Sequence, residues 1–296
     1  MMTTTTVTES SAPLRATTRN SQPGRGVTLG GLVRSEFIKI FSLRSIRWVL
    51  AASLATGIGL GFLLALMWSR EMLESDAASR TSEELQQYLM MATTVSLPFL
   101  ALIFGILGVL VISNEYSSGL IQSTLVSAPR RGSVFVAKGL VLIAVTLVTA
   151  VLIVAAALIA SLIFAPDAAA ELVSARVVSG LVGMIGYLTL LTLFAYGCAA
   201  LLRSTAAAIG IVVGVVFVAP IVLSMLLMTS WEWVPTIAPY FPTDLGNTLS
   251  VGVSSLADLS TEGPSGVSYL TAVIAMVVWA VATVVPALFV FKRRDA

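Results

Sequence analysis

The sequence predicts an all-α integral membrane protein with six transmembrane helices, and three observations carry that prediction. Of 296 residues, 57% are hydrophobic and only 11% charged, against about a quarter charged in soluble domains. Six apolar runs reach the roughly 20 residues that a bilayer core of about 30 Å demands of a helix. Lysine and arginine then concentrate in alternate connecting segments, the pattern that orients membrane proteins.

Taken in order, residues 1–28 predict a disordered tail. They are rich in Thr and Ser, carry Pro13, Pro23, Gly24 and Gly26, and contain few large apolar side chains. The stretch before the first run lacks the apolar core of a secretory signal. Residues 29–46 predict an amphipathic interfacial helix, with Leu32, Val33, Phe37, Ile40 and Phe41 on one face and Arg34, Lys39 and Arg44 off it.

The six runs fall at about 48–68, 88–112, 139–164, 177–202, 207–229 and 269–291. Trp48 and Trp68 bracket the first as interfacial anchors. Pro98, Pro220 and Pro286 lie inside runs and predict kinks. The fourth and fifth runs are joined only by a short segment around Arg203, a tight helical hairpin. GxxxG spacings at Gly57/Gly61 and Gly210/Gly214 mark close helix approaches, expected within the chain more than between copies. The 39-residue segment 230–268 holds "WEWVPTIAPYFPTDLG", too broken by proline to span and suited to re-entrant or interfacial pieces.

With the N-terminus inside, every one of the 17 Lys and Arg residues except Arg70, Arg80 and Arg176 falls on the inner side. Both termini are therefore expected in the cytoplasm, with the chain crossing the plasma membrane repeatedly. A net charge of +2 gives no reason to expect nucleic acid. One cysteine, Cys198, excludes an intramolecular disulfide.

The chemistry missing from the chain narrows the function. The six apolar runs contain no Asp, Glu, Lys, Arg or His, whereas ion-coupled carriers usually place an ionisable group near mid-membrane. No G-x-x-x-x-G-K-[ST] phosphate loop, HExxH or GxSxG occurs. The chain is expected not to be an enzyme and to bind no cofactor of its own.

One polar segment, 113–138, interrupts this apolar sequence. "NEYSSGLIQSTLVSAPRRGSVFVAK" (Asn114 to Lys138) opens with Glu115, offers a short apolar helix through Leu120, Ile121, Thr124 and Leu125, and stops at Pro129. Ser133 reads as an N-cap for the next span. By physics alone, a docking surface and an ordinary positive-inside loop are equally good readings.

The segment resembles the cytoplasmic signature of permease subunits in the type-2 export class of ATP-binding-cassette (ABC) transporters, at Glu115, Gly119, Thr124, Leu125, Pro129, Arg130, Arg131 and Lys138. Leu120 stands where that family often has Thr. "VRSEFIKIFSLRSIRWVL" is similar to the family's interfacial helix, with Glu36, Phe37, Lys39 and Arg44, and "PYFPTDLG" to a motif before the last span.

The resemblance implies a six-helix permease at 29–296 that pairs with a second copy or a related permease in the membrane. A separate cytoplasmic ABC ATPase, holding ATP and Mg, would dock on segment 113–138 and drive export. It also implies that the second and fifth spans line the pathway, so Phe99, Phe104, Phe217 and Met225 are candidate lining residues. A charge-free pathway suits a hydrophobic or amphipathic cargo: a drug, lipid or peptide. The alternatives are a stand-alone secondary carrier or channel, and a non-transporting membrane anchor for a cytoplasmic partner.

Overall fold

Thr28 caps the first helix, its hydroxyl accepting a hydrogen bond from the Gly31 amide at 3.3 Å, and the chain is helical almost throughout from there. The computed structural model describes residues 28–74, 80–117, 131–229, 231–261, 263 and 266–293. In order these form α1 (Leu29–Ser42), α2 (Arg44–Glu74), α3 (Ser82–Thr94), α4 (Leu97–Ser117), α5 (Arg131–Phe164), α6 (Ala175–Leu202), α7 (Thr205–Val213), α8 (Ala219–Leu226), α9 (Val234–Ile237), α10 (Pro242–Val251) and α11 (Tyr269–Arg293). No strand occurs among the described residues.

Among the described residues six segments are long and apolar enough to cross a membrane: Arg44–Trp68, Ser82–Asn114, Gly132–Phe164, Ala175–Leu202, Thr205–Leu226 and Tyr269–Lys292. The chain is a multi-pass membrane protein. The second span starts earlier than its hydrophobicity announces. Thr81 and Glu84 form a capping box that lets the polar turn "SEEL" begin the helix. The span then breaks at Val95 and Ser96, just ahead of Pro98, where the pyrrolidine ring crowds the preceding turn.

Helix α6 is the central post, packed against α4, α5, α10 and α11. Gly108 permits one close approach, since a Cβ there would meet the Thr192 carbonyl oxygen of α6 at 2.3 Å. The GxxxG pair in the first span behaves as its spacing predicts, with Gly57 against Ile153 and Gly61 against Ala157. The pair in the fifth span does not. Among the described residues a Cβ at Gly210 or Gly214 would meet nothing within 4 Å, so no described helix packs on this ladder.

The hairpin between the fourth and fifth spans is as tight as predicted. Arg203 closes α6 in the left-handed region at φ 53°, and the Ser204 hydroxyl caps α7 by accepting from the Ala207 amide at 3.3 Å.

Alternation of the spans gives the bundle two ends. One carries α1, Arg44, Lys138 and Lys292, and Gly132 lies against the Lys292 side chain there. The other carries α9 and α10 with Glu83, Asp167, Asp244 and Asp258. Hereafter these are the basic and the acidic end.

Three local expectations are revised. The interfacial helix ends at Ser42 rather than 46, because Leu43 is extended (φ −76°, ψ 121°) before α2 begins. Segment 113–138 is helical at both flanks, to Ser117 and again from Arg131, so Ser133 lies inside α5 and is not its N-cap. The apolar face of α1 is divided: Ile40 is buried, whereas Phe37 and Phe41 are 49% and 44% exposed. The inward face instead carries an acid, Glu36.

Candidate functional site

The basic end is built around that acid. Helix α1 lies along the first turns of α5, and this contact buries Glu36 to 1% exposure and Lys138 to 4%. Lys138 Nζ donates to one Glu36 carboxylate oxygen. Lys39 Nζ, partly exposed and one turn along α1, donates to the other at 2.8 Å. Lys138 sits about two turns inside α5, so a charge-free reading of the spans holds only for their middles.

Bringing two charges out of water costs several kcal/mol each, and mutual attraction offsets this only where the remaining lone pairs are satisfied. Both carboxylate oxygens of Glu36 are satisfied here. Burial pushes its pKa up, but the Lys138 charge and hydrogen bonds from Lys138 and Lys39 outweigh that and hold the carboxyl below its ordinary value.

A second tie lies beside the first. Asn114 Nδ2, at the end of α4, donates to Ser45 Oγ at 3.1 Å, two residues after the break at Leu43. Both helices that flank residues 118–130 are thus anchored, the last turn of α4 to the start of α2 and the second turn of α5 to α1. The base of α5 is fixed further by the Tyr196 hydroxyl, which donates to the Phe135 carbonyl at 3.0 Å, and by the Phe135 ring against Tyr196 and Phe291.

Of the residues singled out in this loop, Gly119, Thr124, Leu125, Pro129 and Arg130 lie outside the described residues. Glu115 belongs to the last turn of α4 and Arg131 opens α5. Lys138 and Glu36, more than 100 positions apart in sequence, are brought together. Neither hydropathy nor spacing signals that pairing.

The second feature is the break in the fifth span. Helices α7 and α8 are joined by a π-helical turn, Gly214–Val218. Because Pro220 has no N–H, the Val216 carbonyl one turn earlier lacks an α-helical donor. Thr243 of the "PYFPTDLG" motif supplies one, its Oγ1 donating to the Val216 oxygen at 2.8 Å. Helix α10 is held against α6, where a Cβ on Gly183 would sit 2.2 Å from the Leu249 carbonyl oxygen and one on Gly246 would strike the Tyr187 ring.

A cavity of about 230 Å³ lies at this break, between Leu97, Pro98 and Ala101 of the second span and Val216, Phe217, Pro220 and Ile221 of the fifth. Tyr187, Thr243 and Asn247 close it. Phe217 alone of the four proposed lining residues borders this space. Phe104 is fully buried in the core, and Phe99 and Met225 are exposed on the outer surface. The sequence hinted at the cavity through Pro98 and Pro220. It gave no sign that Thr243 and Asn247 reach it.

A sequence model of the family described as "ABC-2 family transporter protein" matches residues 32–296, which covers α2 to α11 and most of α1. Comparison with curated proteins gives no match.

Proposed function

The chain belongs to the ABC-2 transporter family and is a membrane-spanning transport permease, and from that premise we propose that it is the half of an exporter moved by a separate ATPase. The observation that supports this most directly is the pair of anchors flanking residues 118–130. The Asn114–Ser45 hydrogen bond ties the end of α4 to the start of α2, and the Glu36–Lys138 ion pair ties α5 to α1.

A cytoplasmic ATPase that grips the loop, with Glu115, Gly119, Thr124, Leu125, Pro129, Arg130 and Arg131 as its contact region, would displace α1, α4 and α5 together. The breaks at Ser96–Pro98 and Gly214–Pro220 are where the second and fifth spans would bend in response. ATP and Mg belong to that partner. Cargo of hydrophobic or amphipathic character suits the apolar lining of the cavity between those spans.

A second copy or a related permease completes the assembly. The open Gly210/Gly214 ladder and the exposed Ile211, Val218 and Val222 beside it give the fifth span an apolar face that no described residue of the chain covers. Residual faces of this kind, with Phe37, Phe41 and Trp48 near the basic end, meet lipid. The basic end, and with it both termini, lies on the cytoplasmic side of the plasma membrane.

The test is to purify the tagged chain in mild detergent, identify co-eluting subunits, and measure ATP hydrolysis by the intact assembly and by Lys138→Met. A stoichiometric ATPase whose turnover responds to cargo in the wild type and no longer does in the variant supports the proposal. A chain that purifies alone and transports without nucleotide overturns it.

A further inference from the structure

At the acidic end lies a cavity of about 580 Å³, larger than the one between the second and fifth spans. Residues of α10 line it on one side, and Asp258, Thr261, Gly263 and Val267 on the other. Two carboxylates, Asp244 and Asp258, border it, with the neutral polar residues Asn247 and Thr248 between them and the Tyr269 side chain on the wall. Arg176 is the one cation among the described lining residues, and its guanidinium reaches towards Glu83 at 3.8 Å. Formal charge in the cavity is therefore negative.

The two acids differ in their partners. Asp258 accepts from Ser255 Oγ at 2.9 Å. No described side chain donates to or pairs with the Asp244 carboxylate, although it is half-buried. Tyr269 spends its hydroxyl on the Ser179 carbonyl at 2.8 Å, which fixes the ring and leaves its aromatic face as the available surface. Asn247 borders both cavities, and Thr243, next to Asp244 in sequence, borders the smaller one. An acidic chamber thus adjoins an apolar one, and the two share a wall.

We propose that these adjoining cavities form a recognition site for an organic cation: a charged amine or onium group held by Asp244 and the Tyr269 ring, with its apolar body lodged between the second and fifth spans. This deepens the permease reading and rests on it, since it names the cargo class as cationic amphiphiles. A carboxylate in a partly dehydrated site attracts a cation far more strongly than one in bulk water, and an aromatic face adds cation–π attraction. Anions meet two acids against one arginine and are disfavoured. Burial pushes the Asp244 carboxyl above its ordinary value, as expected for an acid lacking a counter-ion.

Asp244 also lies in the first turn of α10, where an acid complements the helix dipole. That role alone predicts a loss of stability on substitution but no preference among ligands.

The experiment uses the full chain in phosphatidylcholine nanodiscs, with tetraphenylphosphonium and tetraphenylborate as probes of nearly equal shape and opposite charge. Equilibrium dialysis against empty nanodiscs removes simple partition into lipid. Saturable binding of the phosphonium and none of the borate is expected, with Asp244→Asn weakening it tenfold or more. Ala101→Phe, which fills the apolar chamber, is expected to weaken it as well. Thermal melts show whether each variant is folded; if Asp244→Asn is not, the exposed Asn247→Leu carries the test with the same expected direction. Equal uptake of both ions, uptake no greater than by empty discs, or wild-type affinity in a folded Asp244→Asn overturns the proposal. Because binding is read on the chain alone, such a failure leaves ATPase coupling untouched. Conversely, a chain that binds the phosphonium but purifies from the cell without an ATPase and transports without nucleotide overturns the driven-exporter reading and leaves the cation site standing.

Discussion

The two ends of the bundle hold charge in opposite ways. At the basic end the decisive acid is buried on both sides by helices and meets two lysines. At the acidic end the ion pairs lie at the surface. Arg80, itself only 11% exposed, meets Asp167 at 2.9 Å with the aspartate half exposed, and Arg176 meets Glu83 at 3.8 Å with the glutamate 82% exposed. A buried pair is expensive to break and moves its two helices as one piece, whereas exposed pairs are screened and contribute little. The basic end is thus suited to transmit force, and the acidic end to open and close at small cost.

The largest expected effect breaks the first half of that contrast. Lys138→Ala leaves Glu36 buried without its main counter-charge, a loss of about 3–5 kcal/mol when one partner of a buried pair is removed. The double change Glu36→Gln/Lys138→Met, which removes both charges, is expected to recover most of that stability in a thermal melt. A double variant as unstable as Lys138→Ala would mean that shape, and not charge, holds α1 to α5.

Acid sharpens the same comparison. The Glu36 carboxyl titrates below its ordinary value in the folded chain. Its stabilising contribution is therefore complete above the unfolded carboxylate pKa, roughly 4.3, and is lost as pH falls through the lower folded value. Melting temperature followed downward from pH 6 is expected to fall in that window in the wild type, and less steeply in the double variant.

Packing gives the next effect. A Cβ at Gly183 has no room against the Leu249 carbonyl, so Gly183→Ala must displace α10 from α6, an overpacking cost of typically 1–3 kcal/mol. Gly210→Ala meets nothing within the chain and is expected to leave the melt of the isolated subunit unchanged or slightly raised by helix propensity. Equal destabilisation by the two would show that the fifth-span ladder is covered after all.

Much of this fold is legible because bilayer thickness dictates length. The first run, expected at about 48–68, ends at Trp68 as observed, and the fifth begins within two residues of its expected position. What eluded the sequence depends on contacts between distant positions. Glu36 looks like a solvated juxtamembrane acid until α5 covers it, and nothing local to Lys138 announces its partner. Thr243 looks like a turn residue until the proline-freed carbonyl of Val216 comes within reach. The Gly210/Gly214 spacing signals close approach but does not say to which helix, and the described helices leave it bare. Pro98 and Pro220 marked where the spans break, though not that both breaks border one cavity.

Thr243→Val and Arg80→Ala set the smallest effects, and the order between them tests the contrast most finely. Thr243→Val keeps the side-chain shape and removes the donor to Val216, so a buried carbonyl beside the bend loses its partner at a cost of about 1–3 kcal/mol. Arg80→Ala removes a pair whose aspartate is half exposed, a contact expected to contribute about 0–1 kcal/mol and less at high salt, together with the packing of the arginine's largely buried stem. If the acidic end is the one that opens, the two variants should also part in dynamics. Hydrogen exchange in α8 is expected to rise in Thr243→Val, because the bend is freed, while in Arg80→Ala the increase should be confined to the start of α3, near residue 82. An Arg80→Ala variant that destabilises the whole bundle as strongly as Thr243→Val would mean that the surface pairs clamp the acidic end shut. The distinction between a rigid basic end and a yielding acidic one would then fail.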